Sequence, residues 1–223
     1  MKLKELESWL SQCDQFDKPK VVLEQYATSA HVAARMIYSA QENLTDAAVC
    51  DLGSGCGILS IGSILAGAAY VCGFEVDEDA IEIAIGNCDE MFDDSENPVN
   101  FVNTEIDIRS DALSPALERF SSCFDVIIMN PPFGTKNNAG ADYKFLKQAI
   151  HLVRPEGHIY SLHKSSTREF FKKKMALPIE KLGVTGNVLA QIRYDLPKCY
   201  KFHKEKSVDI AVDFWHFQKQ SKP

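Results

Sequence analysis

Four consecutive apolar residues, Val126 to Met129, run directly into Asn130-Pro131-Pro132-Phe133. A strand that is apolar at every position cannot keep one face in water, so it belongs in the middle of a sheet covered on both sides. The two prolines end it, because each fixes φ, removes an N–H and pushes the residue before it toward extended geometry. Around this point the chain alternates between strand and helix patterns. AAVCDLG, AYVCGFEVD, VNFVNTEID, FDVIIM and GHIYSLH read as strands. ILSIGSILAG, a segment capped by Asp79 and running to about Phe92, Ala141 to Val153, and EFFKKK read as helices, the last opened by Ser166 and Glu169 at capping-box spacing. Strands near Val188 to Tyr194 and Val208 to Phe217 close the chain without a clear helix between them. The alternation predicts an α/β fold of Rossmann-like type: a doubly wound, mostly parallel sheet of seven strands with one antiparallel strand. Ligands of such sheets bind at the carboxyl ends of the strands.

A length of 223 residues suits a single domain, with residues 1 to about 45 as an N-terminal helical extension in which Leu3, Leu6 and Leu10 share one helical face. No long uncharged apolar run occurs, so neither a membrane span nor a signal peptide is expected. Seven scattered cysteines without a C-x-x-C pair predict reduced thiols, a cytoplasmic or nuclear setting and no metal site. The formal net charge of -7 argues against nucleic-acid binding by bulk electrostatics, so any RNA contact must be local. Two basic groups offer one: Arg168 with Lys172, Lys173 and Lys174, and Lys198 with Lys201, Lys204 and Lys206. Each is also what an ordinary solvated face looks like.

Asp51-Leu52-Gly53-Ser54-Gly55-Cys56-Gly57 joins the first strand to the first helix of the alternating region. Glycines there let the backbone adopt positive φ and approach a ligand closely. The spacing is G-x-G-x-G rather than the G-x-G-x-x-G of dinucleotide loops, and the leading acid suits an ammonium group better than a phosphate. Asp51, Gly53, Gly55, Cys56 and Ile58 are the candidate cofactor contacts of this turn, with a dinucleotide site and a purely structural turn as the alternatives. Cys56 is a small packing residue rather than a nucleophile, since nothing basic adjoins it. Glu75 ends the next strand about 20 residues on, where an acid accepts from ribose hydroxyls, and Asp77 is the alternative for that role. Asp107 with Ile108, after the third strand, could receive an adenine amino group and cover its ring.

Asn130-Pro131-Pro132-Phe133 carries the chemistry. An aromatic amine delocalises its lone pair into the ring and is a poor nucleophile. Two acceptors on a rigid peptide, the Asn130 side chain and the Pro131 carbonyl, can bind its N–H groups and aim the lone pair, while Phe133 stacks on the base. No general base is required, because the nitrogen becomes acidic once alkylated. His163 and Lys164 end the fifth strand nearby, and Tyr194 and Tyr200 are candidate stacking rings; all four are equally at home as structural groups.

D-L-G-S-G-C-G, F-E-V-D and N-P-P-F together resemble the cofactor and catalytic motifs of class I S-adenosylmethionine-dependent amino-methyltransferases. The longer runs MNPPFGTKNNAG, SLHKSSTREF, RYDLP and YKFHKEKSVDI extend the resemblance over nearly the whole chain, to the eukaryotic 18S ribosomal RNA adenine-N6 methyltransferases. That resemblance implies S-adenosylmethionine as cofactor, RNA as substrate, and Gln25 and Thr28 of LEQYAT as contacts over its methionine end. It also implies a small zinc-binding activator subunit, expected to add a strand beside the edge strand 99–105. Glu75 stands where the family pattern has Asp, which leaves open which acid holds the ribose. The same tetrapeptide serves enzymes acting on DNA adenine, guanine N2 or protein glutamine, so another amine or amide is the alternative substrate. A catalytically silent partner-binding module and an NAD-dependent oxidoreductase are the readings from other classes.

Overall fold

The structure, a computed structural model, describes residues 1–92, 99–107, 112–134, 138–176, 182–197 and 207–221. Its seven strands are β1 Ala48–Leu52, β2 Tyr70–Glu75, β3 Val99–Asn103, β4 Phe124–Met129, β5 Val153–Lys164, β6 Val184–Pro197 and β7 Ser207–Lys219. They form one sheet in the order β3-β2-β1-β4-β5-β7-β6. Pairing is parallel from β3 through β5, and β7 is antiparallel to both β5 and β6. The chain direction of winding reverses between β1 and β4, and a crevice opens there at the strand ends.

Val126, Ile127, Ile128 and Met129 are all fully buried, as their unbroken apolar run requires. They alternate between two cores. Val126 and Ile128 pack with α1 Leu3–Leu10, α2 Ala30–Leu44, α3 Ile58–Leu65 and the inner edge of α4 Glu78–Met91, whereas Ile127 and Met129 pack under α5 Ala141–Leu152 and α6 Arg168–Met175. Each such side chain contributes roughly 1.5–3 kcal/mol on leaving water. Gly62 interrupts the apolar pattern of α3 because α2 lies so close: a Cβ there would sit 2.8 Å from Ile37 Cγ1. Among the described residues no helix is long and apolar enough to cross a membrane.

Local details depart from the sequence pattern where side chains compete for the backbone. The N-cap of α4 is Asp77, which accepts from the Asp79 N–H, so Asp79 falls in the first turn. Ser166 and Glu169 form no capping box. Residues 165–167 make a short 3-10 turn in which the Thr167 hydroxyl donates back to the Lys164 carbonyl, and Glu169 pairs with Lys172 at 3.0 Å. β3 stops at Asn103, because the Thr104 N–H donates to the Glu75 carbonyl and the chain then turns across the strand ends. The break from Asp93 to Pro98, Ile108, and the basic segment Lys198 to Lys206 with Tyr200 lie outside the described residues.

Candidate active site

The glycine turn builds one wall of a cavity of about 320 Å3 at the carboxyl ends of β1, β2 and β4. Gly53, Gly55 and Gly57 have φ of 81°, 52° and 81°, values that a side chain would strain. Aromatic rings also close on the turn: a Cβ on Gly53 would lie 3.3 Å from Phe145, and one on Gly55 3.0 Å from Phe16. The Gly53 and Ser54 amides donate to the Phe74 carbonyl, and Gly57 caps α3. Asn87, almost fully buried on α4, ties three segments together here. Its Nδ2 donates to the Cys56 and Asp14 carbonyls, and its Oδ1 accepts from the Asp14 N–H.

Asp51 lies behind the turn with no exposed surface and is not part of the cavity wall. Ser60 donates to its Oδ2 at 2.7 Å, while Oδ1 has no partner among the described residues. Burial pushes this carboxyl up from 3.8 to about 7; the Ser60 bonds pull it back and the charge on Glu75 adds to the rise. The Ser54 hydroxyl is likewise buried without a partner among the described residues. Ser54 lines the cavity, so a cation at this end would meet its hydroxyl and feel the Asp51 charge from behind the turn.

Glu75 and Asp77 separate cleanly. Glu75 lines the cavity, with Oε2 accepting from Gly55 at 2.9 Å and Oε1 from the Val76 and Asp77 amides. Three of its roughly four lone-pair sites are thus taken, so a diol would bind one hydroxyl directly and share or displace the Gly55 contact for the other. Asp77 is not on the cavity wall. Lys20, Gln25 and the Asp79 amide hold its oxygens, and although burial raises its carboxyl, these bonds outweigh burial and keep it below the ordinary value. Gln25 does line the cavity, but its amide is spent within the protein, on Asp77 at 2.6 Å and on the Lys20 N–H at 2.7 Å. Cys56 and Ile58 also line the wall, and burial lifts the Cys56 thiol to about 12, which removes it as a nucleophile. Asp107 is not on the wall. Because β3 ends early, Thr104, Glu105 and Ile106 cross the cavity mouth in its place.

Asn130 follows β4 and lines the same cavity, with Nδ2 donating to Thr28 Oγ1 at 2.9 Å. This bond sets the amide, so that its carbonyl oxygen is the atom presented to a donor. Pro131 is buried, and Pro132 and Asn138 reach the wall. Phe133 departs from expectation: it is only 5% exposed, absent from the wall, and packed on Tyr26 at 5.2 Å between ring centroids. Its backbone N–H donates to the Tyr26 hydroxyl, and the ring that borders the cavity is that of Tyr26. Burial won over exposure because Phe133 completes the core between α2 and β4. His163 is fully buried and pairs through Nδ1 with Asp142 at 3.2 Å, a structural link from β5 to α5 rather than a cavity group.

Phe16, Ile106, Phe145 and Asn87 carry the site without belonging to a motif, and Tyr26 does so from within LEQYAT, where only Gln25 and Thr28 were expected to. Phe16, an isolated apolar residue in a polar stretch, and Asn87, a polar residue on the inner side of an amphipathic helix, are the two that had a signal in the sequence. The walls fit S-adenosylmethionine: Ser54 for an ammonium, with the Asp51 carboxyl behind it, Glu75 for a ribose, and Phe74, Ile106 and Phe145 for a ring.

Residues 26–131 match the family Ribosomal protein L11 methyltransferase (PrmA). Over 220 residues the chain is 46% identical to the rRNA N(6)-adenosine-methyltransferase METTL5 of Danio rerio, covering 97% of this chain and 99% of that protein. The Drosophila melanogaster protein of the same name is 44% identical over 221 residues, covering 98% and 97%. A solved structure from Pyrococcus horikoshii, assigned as an RNA methyltransferase, superposes with a TM-score of 0.78 at 30% identity over 99% of this chain and 98% of its own.

Proposed function

The chain belongs to the rRNA N(6)-adenosine-methyltransferase family, and from that membership we propose how its residues divide the work. It is an S-adenosylmethionine-dependent methyltransferase acting on the N6 amino group of an adenosine in ribosomal RNA. The finer assignment to the 18S RNA of the small subunit follows the sequence resemblance. When bound, the cofactor supplies an electrophilic methyl on a sulfonium. The observation that carries the division of labour is the meeting of Asn130, fixed by Thr28, with the glycine turn and Glu75 in one cavity.

In this reading Asp51 and Ser54 hold the ammonium end through the turn, and Glu75 holds the ribose. Gly53, Gly55, Cys56 and Ile58 shape the floor, while Ile106 and Phe145 cover the ring. The Asn130 carbonyl oxygen and the Pro131 carbonyl accept the two N–H groups of the target amine. That pins the amino group and turns its lone pair toward the methyl, which converts a weak nucleophile into a positioned one. The methylated nitrogen is strongly acidic and gives up its proton to water, so no side chain serves as base. Tyr26 sets the position of the Asn130 loop through the Phe133 N–H and borders the slot for the base.

The partner is the small zinc-binding activator subunit, docked on the open edge of β3. Among the described residues β3 pairs only with β2, and an exposed strand edge is a template for another strand. A reducing cytoplasmic or nuclear setting goes with this reading. The test is mass spectrometry of nucleosides from ribosomal RNA of cells lacking the protein. One N6-methyladenosine should vanish and return with the wild-type chain but not with Asn130→Ala; an unchanged nucleoside profile overturns the reading.

A further inference from the structure

The helices α5 and α6 carry six basic residues against two acidic ones in a chain of net charge -7. Of the acids, Asp142 is buried against His163 and Glu169 pairs with Lys172. Arg168 is committed to Asp213 and Lys172 to Glu169, while Lys144, Lys147, Lys173 and Lys174 add to a positive local field. Two aromatic rings lie among these lysines. Phe170 is 43% exposed and meets Tyr143 edge-on at 5.2 Å. Lys174 Nζ stands 5.4 Å from the centroids of both rings, and Lys147 Nζ 5.1 Å from that of Tyr143.

This group is fixed to the active site. Tyr143 lies in the first turn of α5 between Asn138 and Phe145, both of which line the cavity. Its neighbour Asp142 bonds His163 near the end of β5, and the His163 ring packs on Phe171 of α6 at 4.2 Å. An exposed ring bordered by ammonium groups, packed on Tyr143 two residues from the cavity-lining Phe145, has the two ingredients of single-strand recognition: a surface for a base and cations for phosphates. We propose that Tyr143, Phe170, Lys147, Lys173 and Lys174 form a docking platform for the single-stranded RNA flanking the target adenosine, with a base on Phe170 and phosphates along the lysines. This rests on the rRNA reading above and adds to it a place where the strand outside the pocket binds.

The test uses the full chain co-expressed with the activator subunit, and compares wild type with Phe170→Ala, Phe170→Trp and the double variant Lys173→Glu/Lys174→Glu. The probe is a fluorescein-labelled single-stranded RNA of roughly 12 nucleotides with one central adenosine, followed by anisotropy over a range of salt concentrations. Phe170→Ala should weaken binding about tenfold and Phe170→Trp should restore it. The double variant should weaken it at least as much and flatten the salt dependence by about 1.4 in slope, at roughly 0.7 per lost phosphate contact. S-adenosylhomocysteine affinity should stay within about twofold in all three, which shows that the site is folded. Unchanged RNA affinity in Phe170→Ala and the double variant overturns the platform, whatever the wild type methylates, and leaves the patch to an acidic protein surface. Absence of methyl transfer to ribosomal RNA by the wild type overturns the reaction, whatever the variants do to binding.

Discussion

Thr28 and Asn130 come from segments about a hundred residues apart and share one hydrogen bond at 2.9 Å, which decides how the amide faces the substrate. Asn130→Ala removes an acceptor that acts in the transition state, so kcat should fall about 100-fold while S-adenosylhomocysteine affinity moves less than about threefold. Thr28→Val keeps the shape but frees the amide to flip, and should cost about tenfold in kcat; equal and small effects of both changes would show that the amide holds nothing. Asp51 makes a pH-dependent statement. Its carboxyl is raised from 3.8 to about 7, so its contribution to the stability of the ligand-free fold is present at low pH and lost as pH rises through about 7. A cation held at the Ser54 end of the cavity favours the ionised form through its field, so cofactor binding expels a proton, and affinity should tighten from about pH 5.5 to about pH 7. Isothermal titration across that range should find the slope in wild type and a flat profile in Asp51→Asn; a flat wild-type profile removes Asp51 from the ammonium site. The motif residues Asn130, Glu75 and Gly55 were legible because their chemistry needs particular residue types at particular strand ends. The exposure of Phe133 was not, since burial depends on Tyr26, 107 residues away in sequence.

At the scale of elements, the strands were readable from apolar runs, and their alternation with helices gave a doubly wound, mostly parallel sheet with one antiparallel strand. Caps were read less well. Asp77 rather than Asp79 caps α4, where its carboxylate accepts from the Asp79 amide, and Thr167 rather than Ser166 precedes α6, where its hydroxyl donates back to the Lys164 carbonyl; the sequence does not record which of several nearby backbone groups a short polar side chain will choose. Asn87 shows how one helix governs the site without touching it. From α4 it bonds the glycine turn through Cys56 and the N-terminal segment through Asp14, so it holds Phe16 over Gly55. Asn87→Ala leaves three backbone groups without their partner, and should destabilise the fold by about 2–3 kcal/mol in urea. Loosening of the turn should also weaken S-adenosylhomocysteine about tenfold. A stability loss with unchanged affinity would mean that Asn87 supports the fold alone.

For the whole molecule, the two edges of the sheet differ in a way that bears on assembly. β6 closes one edge as a long partner of β7, whereas β3 ends the other with five residues, beyond which no strand is paired among the described residues. The N-terminal helix α1 packs on α2 and α3. Phe101 is half-buried and turns inward, its ring against Gly57 and Gly73, so a charge placed there would damage the chain's own core. Val102, also half-buried, packs on the core of the opposite face, where the long stem of a lysine can carry its charge out to the edge. The proposed zinc-binding subunit would pair with the β3 backbone and cover Val102. A lysine on an edge strand is the device that natural sheets use to prevent such pairing, so Val102→Lys should abolish co-elution of the two proteins. The chain alone should aggregate or lose most of its methyl transfer, and the wild-type pair should be monodisperse and active. S-adenosylhomocysteine binding by the variant, measured in parallel, reports that its fold is intact. If the lone chain is monodisperse and fully active, or if the pair survives Val102→Lys, the partner does not sit on this edge.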